Sequence, residues 1–152
     1  MPKLPGPTGL PPFWLALSIA AVWGLDRLIP FSFFGFGGQV VGAGMVVLGL
    51  GLMLGAALQM WRHRTTFIPG RDPAHLVTTG FFRFSRNPIY LGDAFVLSGI
   101  VLWLDVPLGF LLVIGFMTLI QYRFILAEEA RLNRLFPDDY RRWAAKTGRW
   151  IG

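Results

Sequence analysis

From Val40 to Trp61 the chain runs without one charged residue. As a helix that stretch is long enough to cross the ~30 Å hydrocarbon core of a bilayer. Lipid offers no hydrogen bonds, so a backbone immersed in it must satisfy its own N–H and C=O groups. Three more apolar stretches obey the same constraint. Phe13–Ile29 is bounded by Pro12 and Pro30, and its Asp26 and Arg27 sit near one end, where they can reach the headgroups. Pro88–Leu104 and Pro107–Leu126 are separated only by Asp105-Val106. So short a link forces an antiparallel helical hairpin, with Asp105 expected to cap the helix that Pro107 opens. With 54% hydrophobic and 14% charged residues, the composition agrees with an integral membrane protein. The expected fold is all-α. It is a single membrane domain over residues 1–152, with four transmembrane helices at about 13–29, 40–61, 88–104 and 107–126. A loop (62–87) and a tail (127–152) lie outside the lipid.

The charges orient these spans. Arg62, Arg64, Arg71, Arg83 and Arg86 lie between spans two and three, and Arg131, Arg134, Arg141, Arg142, Lys146 and Arg149 follow span four. Pro30–Gln39 and the 105–106 turn hold no Lys or Arg. The positive-inside rule therefore puts the loop, the tail and the N-terminus in the cytoplasm, as expected of a bacterial inner-membrane protein. The net charge of +6 flanks apolar segments, so it points to anionic lipid headgroups and not to nucleic acid. The N-terminal segment has five prolines and one positive charge, without a cleavage-site pattern, so the first apolar stretch is expected to stay as a span.

Span two carries Gly42, Gly44, Gly49, Gly51 and Gly55. Small residues let helices approach closely in lipid. The expectation is packing against spans one and four, with a homodimer as the alternative use. Gly35-Phe-Gly-Gly38 has neither the preceding strand nor the following Lys of a phosphate loop and reads as a flexible interfacial turn. The tail reads as a helix running on from span four to about Phe136, then a short second helix opened by Pro137. Leu132, Phe136, Tyr140 and Trp143 recur at helical spacing, as in an amphipathic tail packed on the membrane or the loop.

Several chemistries are excluded. The chain has no cysteine, and its two histidines, His63 and His75, have no carboxylate pair at metal spacing, so no metal site is expected. No Gly-x-Ser-x-Gly or Ser/His/Asp pattern offers a hydrolase, and no series of buried acids offers ion transport. What remains is Arg86-Asn87-Pro88-x-Tyr90, a Gly80 turn just before it, and Glu128-Glu129 beyond the following span. Pro88 at a first helical position leaves free N–H groups at the cytoplasmic level, where an anion can bind. Glu128 and Glu129 reach the same level at the end of span four, where acids oppose the helix dipole unless cations or donors meet them. Arg86, Arg123, Arg131 or a ligand could do so; the alternative on spacing alone is a purely structural Arg–Glu network holding the tail to the loop.

Leu76-Val-Thr-Thr-Gly-x-Phe-Arg-x-x-Arg-Asn-Pro-x-Tyr-x-Gly92, followed by Glu128-Glu-x-x-Leu-x-x-x-Phe-x-x-x-Tyr140, resembles the isoprenylcysteine carboxyl methyltransferase family. Two separated motifs in the right order, within about 72–150, carry the likeness. It implies an integral membrane methyltransferase that uses S-adenosylmethionine, bound at the cytoplasmic face between the loop and the C-terminal helices. Carried over by position, the cofactor site would comprise His75, Leu76, Val77, Gly80, Phe82, Arg86, Asn87, Pro88, Tyr90, Glu128 and Glu129. Arg123 would face the acceptor and, with Glu128, carry the catalytic role. Phe82 stands where the family has Tyr, Asn87 where it often has His, and Pro137 where it has Gly. Arg123 precedes Glu128 by five residues where four are expected.

The sulfonium methyl is already activated, so such an enzyme mainly aligns and desolvates its reactants. A carboxylate acceptor needs no base and could be held by Arg123; an amine must lose a proton, for which Asp93, an acid early in span three, would serve. The acceptor is accordingly a lipophilic small molecule or lipid. The alternatives to prenylcysteine-like carboxyl methylation are N-methylation of phosphatidylethanolamine and a non-catalytic membrane subunit.

Overall fold

The computed structural model describes residues 9–65 and 72–152; Arg71 and the segment 1–8 of the expected cytoplasmic N-terminus lie outside the described residues. These are all helical in their regular structure, with no strand. The α-helices are α1 (Pro11–Leu28), α2 (Gly35–Arg62), α3 (Pro88–Trp103), α4 (Gly109–Ile120), α5 (Leu126–Leu135) and α6 (Pro137–Ala144). A 3-10 turn covers Gly80–Arg83, and a π-helical turn, Gln121–Ile125, joins α4 to α5.

Among the described residues, two helices are long and apolar enough to cross a membrane: α2, and the continuous Gly109–Leu135. Only 17% and 28% of their most apolar windows are buried within the protein, unlike the core helix of a water-soluble domain. Leu54, Val47, Leu111 and Ile114 point outward, which lipid permits and water disfavours. Helix α3 is apolar but shorter.

The chain divides into two compact units, one of residues 1–48 with 94–120, the other of residues 49–93 with 121–152. In the first, α1 packs on α4. Pro11 and Pro12 open α1, where missing N–H groups cost nothing. Asp105 departs from expectation. Its carboxylate accepts the N–H groups of Phe33 (2.9 Å), Phe34 (2.7 Å) and Gly35 (2.9 Å), so it caps α2 and not the helix after it. Those bonds, Phe34's foremost, hold its carboxyl below the ordinary range. The cause is local. Val106 N–H bonds to Val101 O, Asp105 N–H bonds to Leu102 O, and Asp105 takes φ +56°, a Schellman ending of α3 that turns the side chain back toward residue 33. The same cap makes Gly35–Gly38 the first turn of α2, correcting the flexible turn expected there. The glycines also have a different neighbour from the one expected. A Cβ on Gly42 would meet Gly99 O at 2.5 Å and Trp103 N at 2.8 Å, so α2 closes on α3.

In the second unit the core is Ala56, Val77, Phe82, Tyr140 and Trp143, with Leu76, Ile89 and Leu132 packed around it. The tail stripe thus lies on the loop. Gly55 leaves room for the Phe81 ring, and Gly92 lies against Met53 and the Gly49 carbonyl. Gly51, one turn before Gly55 on α2, has no neighbour within 4 Å of a Cβ.

Candidate functional site

The first turn of α3 is built by its own motif. Ser85 Oγ accepts Asn87 N–H at 3.0 Å, Asn87 O accepts Leu91 N–H at 2.9 Å, and the buried Pro88 starts the helix. That arrangement points Tyr90 inward, where it is buried and donates its hydroxyl to Glu128 Oε1 at 2.7 Å. Two motifs separated by a whole helical hairpin therefore meet through one short, charge-assisted hydrogen bond.

The neighbouring acid is engaged differently. Arg149 grips Glu129 with two parallel bonds, Nε to Oε1 at 3.0 Å and Nη2 to Oε2 at 2.7 Å. Arg86 Nη1 adds a contact to Glu129 Oε1 at 3.2 Å and donates to the Tyr140 hydroxyl at 3.0 Å. The bonds to Glu129 raise the Arg149 guanidinium above its ordinary value. Burial, then the Glu129 charge, pushes the Tyr140 hydroxyl up, with Arg86 opposing. Arg86 Nε is buried with no hydrogen-bond partner among the described residues. An orphaned buried donor costs roughly 1–3 kcal/mol, so it marks a place where a ligand acceptor would be welcome.

The remaining predicted residues divide into two groups. Phe82 is buried and its carbonyl accepts Trp143 Nε1–H at 2.8 Å. Asn87 spends its side-chain amide on the Arg149 carbonyl at 3.0 Å. Val77 is buried and Leu76 half-buried in the same core, while Gly80 takes φ +56° to start the 3-10 turn. His75 is exposed and enters only through its backbone, whose carbonyl accepts Thr65 Oγ1–H at 3.1 Å. Arg123 sits exposed in the π-helical turn. That turn takes an extra residue per revolution, which swings Arg123 toward the face of Glu128 relative to an unbroken α-helix. The five-residue spacing thus has a structural counterpart.

Three contributors escaped sequence reasoning. Gln59 of α2 braces the 3-10 turn, donating to Thr79 O at 2.7 Å and accepting Phe81 N–H at 3.1 Å. Its signal was available, as a lone amide in an otherwise apolar span. Trp143 looked only like packing, and Arg149 like one more tail cation. Asp93, one turn beyond Tyr90, is 3% exposed. Arg86 is committed to Glu129 and Tyr140.

The chain was also compared with known proteins. The model of a family described as phospholipid methyltransferase matches residues 38–139. An uncharacterised protein of Haemophilus influenzae is 38% identical over 63 residues, which is 100% of that protein and 41% of this chain. No solved structure matches the chain.

Proposed function

The chain belongs to the phospholipid methyltransferase family, and from that premise we propose that it transfers a methyl group from S-adenosylmethionine to a lipophilic acceptor at the cytoplasmic face of a membrane. S-adenosylmethionine supplies a methyl on a positively charged sulfur, ready for displacement. The observation that carries the reading is the Tyr90–Glu128 bond at 2.7 Å. It presents a carboxylate beside α3 while Arg86 and Arg149 are held by Glu129. The donor set suits the amino-acid end of the cofactor, with Glu128 for its ammonium and the unpartnered Arg86 Nε for its carboxylate. Gly80, Phe82, Asn87 and Pro88 shape the wall through the backbone turns they fix. The Arg and Lys distribution supports four crossings with the 62–87 loop and the tail in the cytoplasm.

The test is cofactor binding by the purified protein in detergent. Glu128→Gln removes one charge-assisted contact, about 1.5–3 kcal/mol, so affinity should fall roughly 10- to 150-fold while the unfolding temperature holds. Unchanged affinity in a folded Glu128→Gln protein would exclude Glu128 and leave Glu129 as the candidate.

For the acceptor, Asp93 favours an amine over a carboxylate. A buried carboxylate disfavours a second anion and attracts an ammonium. It can take the proton that an ammonium must lose before its nitrogen attacks. Phosphatidylethanolamine then becomes the leading substrate and a prenylcysteine-like carboxylate held by Arg123 the second. Asp93→Asn should abolish transfer to the amine and spare cofactor affinity, with Arg123→Ala milder. The reverse ranking assigns the carboxylate.

A further inference from the structure

We propose that Arg149 is a positioning residue for Glu128, acting through Glu129; this rests on the reading of Glu128 as a cofactor ligand. Helix α5 begins directly after the π-helical turn. That turn shifts the helical register at the start of α5, so the direction in which the acidic pair projects depends on the side chains that hold it. Glu128 and Glu129 are adjacent and project about 100° apart around the helix axis. Fixing one therefore aims the other.

Arg149 is built to do the fixing. Its guanidinium holds Glu129 by a bidentate fork, a geometry Lys cannot reproduce. Its own backbone is tied to the start of α3, where its carbonyl accepts Asn87 Nδ2–H at 3.0 Å and Ser85 Oγ–H at 3.4 Å. The preceding carbonyl, of Gly148, accepts Arg86 N–H at 2.9 Å. The next residue, Trp150, donates its indole N–H to Gln121 at 3.0 Å, in the π-helical turn itself. Helices α3 and α5 are thus joined by two links side by side. One is Tyr90–Glu128; the other runs from Asn87 through Arg149 to Glu129. Together they form a closed ring that leaves Glu128 one orientation. The Asn of the Arg-Asn-Pro motif acquires a purpose that its position in a cofactor pocket did not suggest: it seats the arginine.

A general loss of structure and a loss of aim make different predictions for two probes. S-adenosylhomocysteine carries the ammonium that Glu128 would hold, and 5′-methylthioadenosine lacks the amino-acid end. Calorimetric binding of both to the full-length protein in detergent should show S-adenosylhomocysteine weakened at least tenfold by Arg149→Ala, with 5′-methylthioadenosine within about twofold. Arg149→Lys, which keeps charge but not the fork, should fall between, and should serve if Arg149→Ala does not fold. Glu129→Gln should match Arg149→Ala, and the double variant should be no worse than either. Equal weakening of both probes, or no weakening of either, overturns the proposal. Wild-type protein that binds neither probe refutes the methyltransferase reading itself, and this positioning role with it.

Discussion

Replacing Gly92 with alanine tests the link between helix packing and the site. An alanine Cβ at position 92 would stand 2.6 Å from the Gly49 carbonyl oxygen and 2.5 Å from Met53 Cγ. The methionine can swing away, but the carbonyl belongs to the α2 backbone and cannot. Relieving the contact needs a separation of about 0.6–0.8 Å, since non-bonded carbon and oxygen sit no closer than roughly 3.2 Å. Overpacking of this kind costs about 1–3 kcal/mol, partly offset by the ~0.5–1 kcal/mol that alanine gains over glycine within a helix. The net, about 0–2.5 kcal/mol, lowers the unfolding temperature by up to about 10 °C in a chain of this size. Gly92 is two residues from Tyr90, so a shift of that size stretches the 2.7 Å Tyr90–Glu128 bond toward the limit of hydrogen bonding. Cofactor affinity should therefore fall with stability. Gly51→Ala is the control, because nothing lies within 4 Å of that Cβ; it should be neutral or slightly stabilising. Thermal unfolding in detergent and titration with S-adenosylhomocysteine measure both effects. If Gly92→Ala behaves like Gly51→Ala, the close approach of α2 and α3 and the argument built on it are wrong.

The native chain has no cysteine, so cysteines placed singly at Lys146 and at the exposed Leu108 report topology cleanly. The first should label from the cytoplasm alone and the second from outside alone; labelling of Lys146→Cys from outside defeats the four-span arrangement. The Asp105 carboxyl is depressed in the folded state, so its capping contribution is fully present above its ordinary value of 3.8 and is lost as pH falls through the lower folded value. Asp105→Asn should therefore flatten the acid limb of the stability profile below about pH 4, and an unchanged limb refutes the cap. Trp143→Phe keeps an aromatic ring but leaves the Phe82 carbonyl without its 2.8 Å donor. That should cost about 1–3 kcal/mol, seen as earlier proteolysis of the tail, whereas a protease profile like wild type would show that the bond does not hold the tail.

The helices were legible because lipid leaves a charge-free stretch few other options, and because prolines 11, 12, 88 and 137 mark helix starts by the chemistry of a missing N–H. The meeting of Tyr90 with Glu128 was legible only through the paired motifs, since thirty-eight positions of sequence separate the partners and no periodicity spans a hairpin. Asp105 was misread for a related reason. Its spacing from Pro107 satisfied the local rule for a helix cap, but its positive φ sent the carboxylate to residues 33–35, seventy positions away. Local grammar identifies a residue able to cap, and tertiary structure chooses which helix receives it.

Arg149 shows the same limit in the site. As one of several cations in a basic tail it resembles Arg141 and Arg142, which remain exposed. What separates it is a backbone carbonyl within reach of Asn87 and a side chain within reach of Glu129, and neither is written in composition or spacing. The consequence concerns the acidic pair. In the sequence Glu128 and Glu129 are equivalent, and a ligand could choose either. In the fold Arg86 and Arg149 take Glu129, and Glu128 is left with the hydroxyl of Tyr90. A charge gripped by two guanidinium groups has little left to offer an ammonium, whereas Glu128, bonded by the Tyr90 hydroxyl and with only the Arg131 charge nearby, is less fully neutralised. Two adjacent acids thereby acquire two different environments: Glu129 anchors the C-terminal segment through Arg149, and Glu128, bonded to Tyr90, is the one that the proposed function assigns to the ligand.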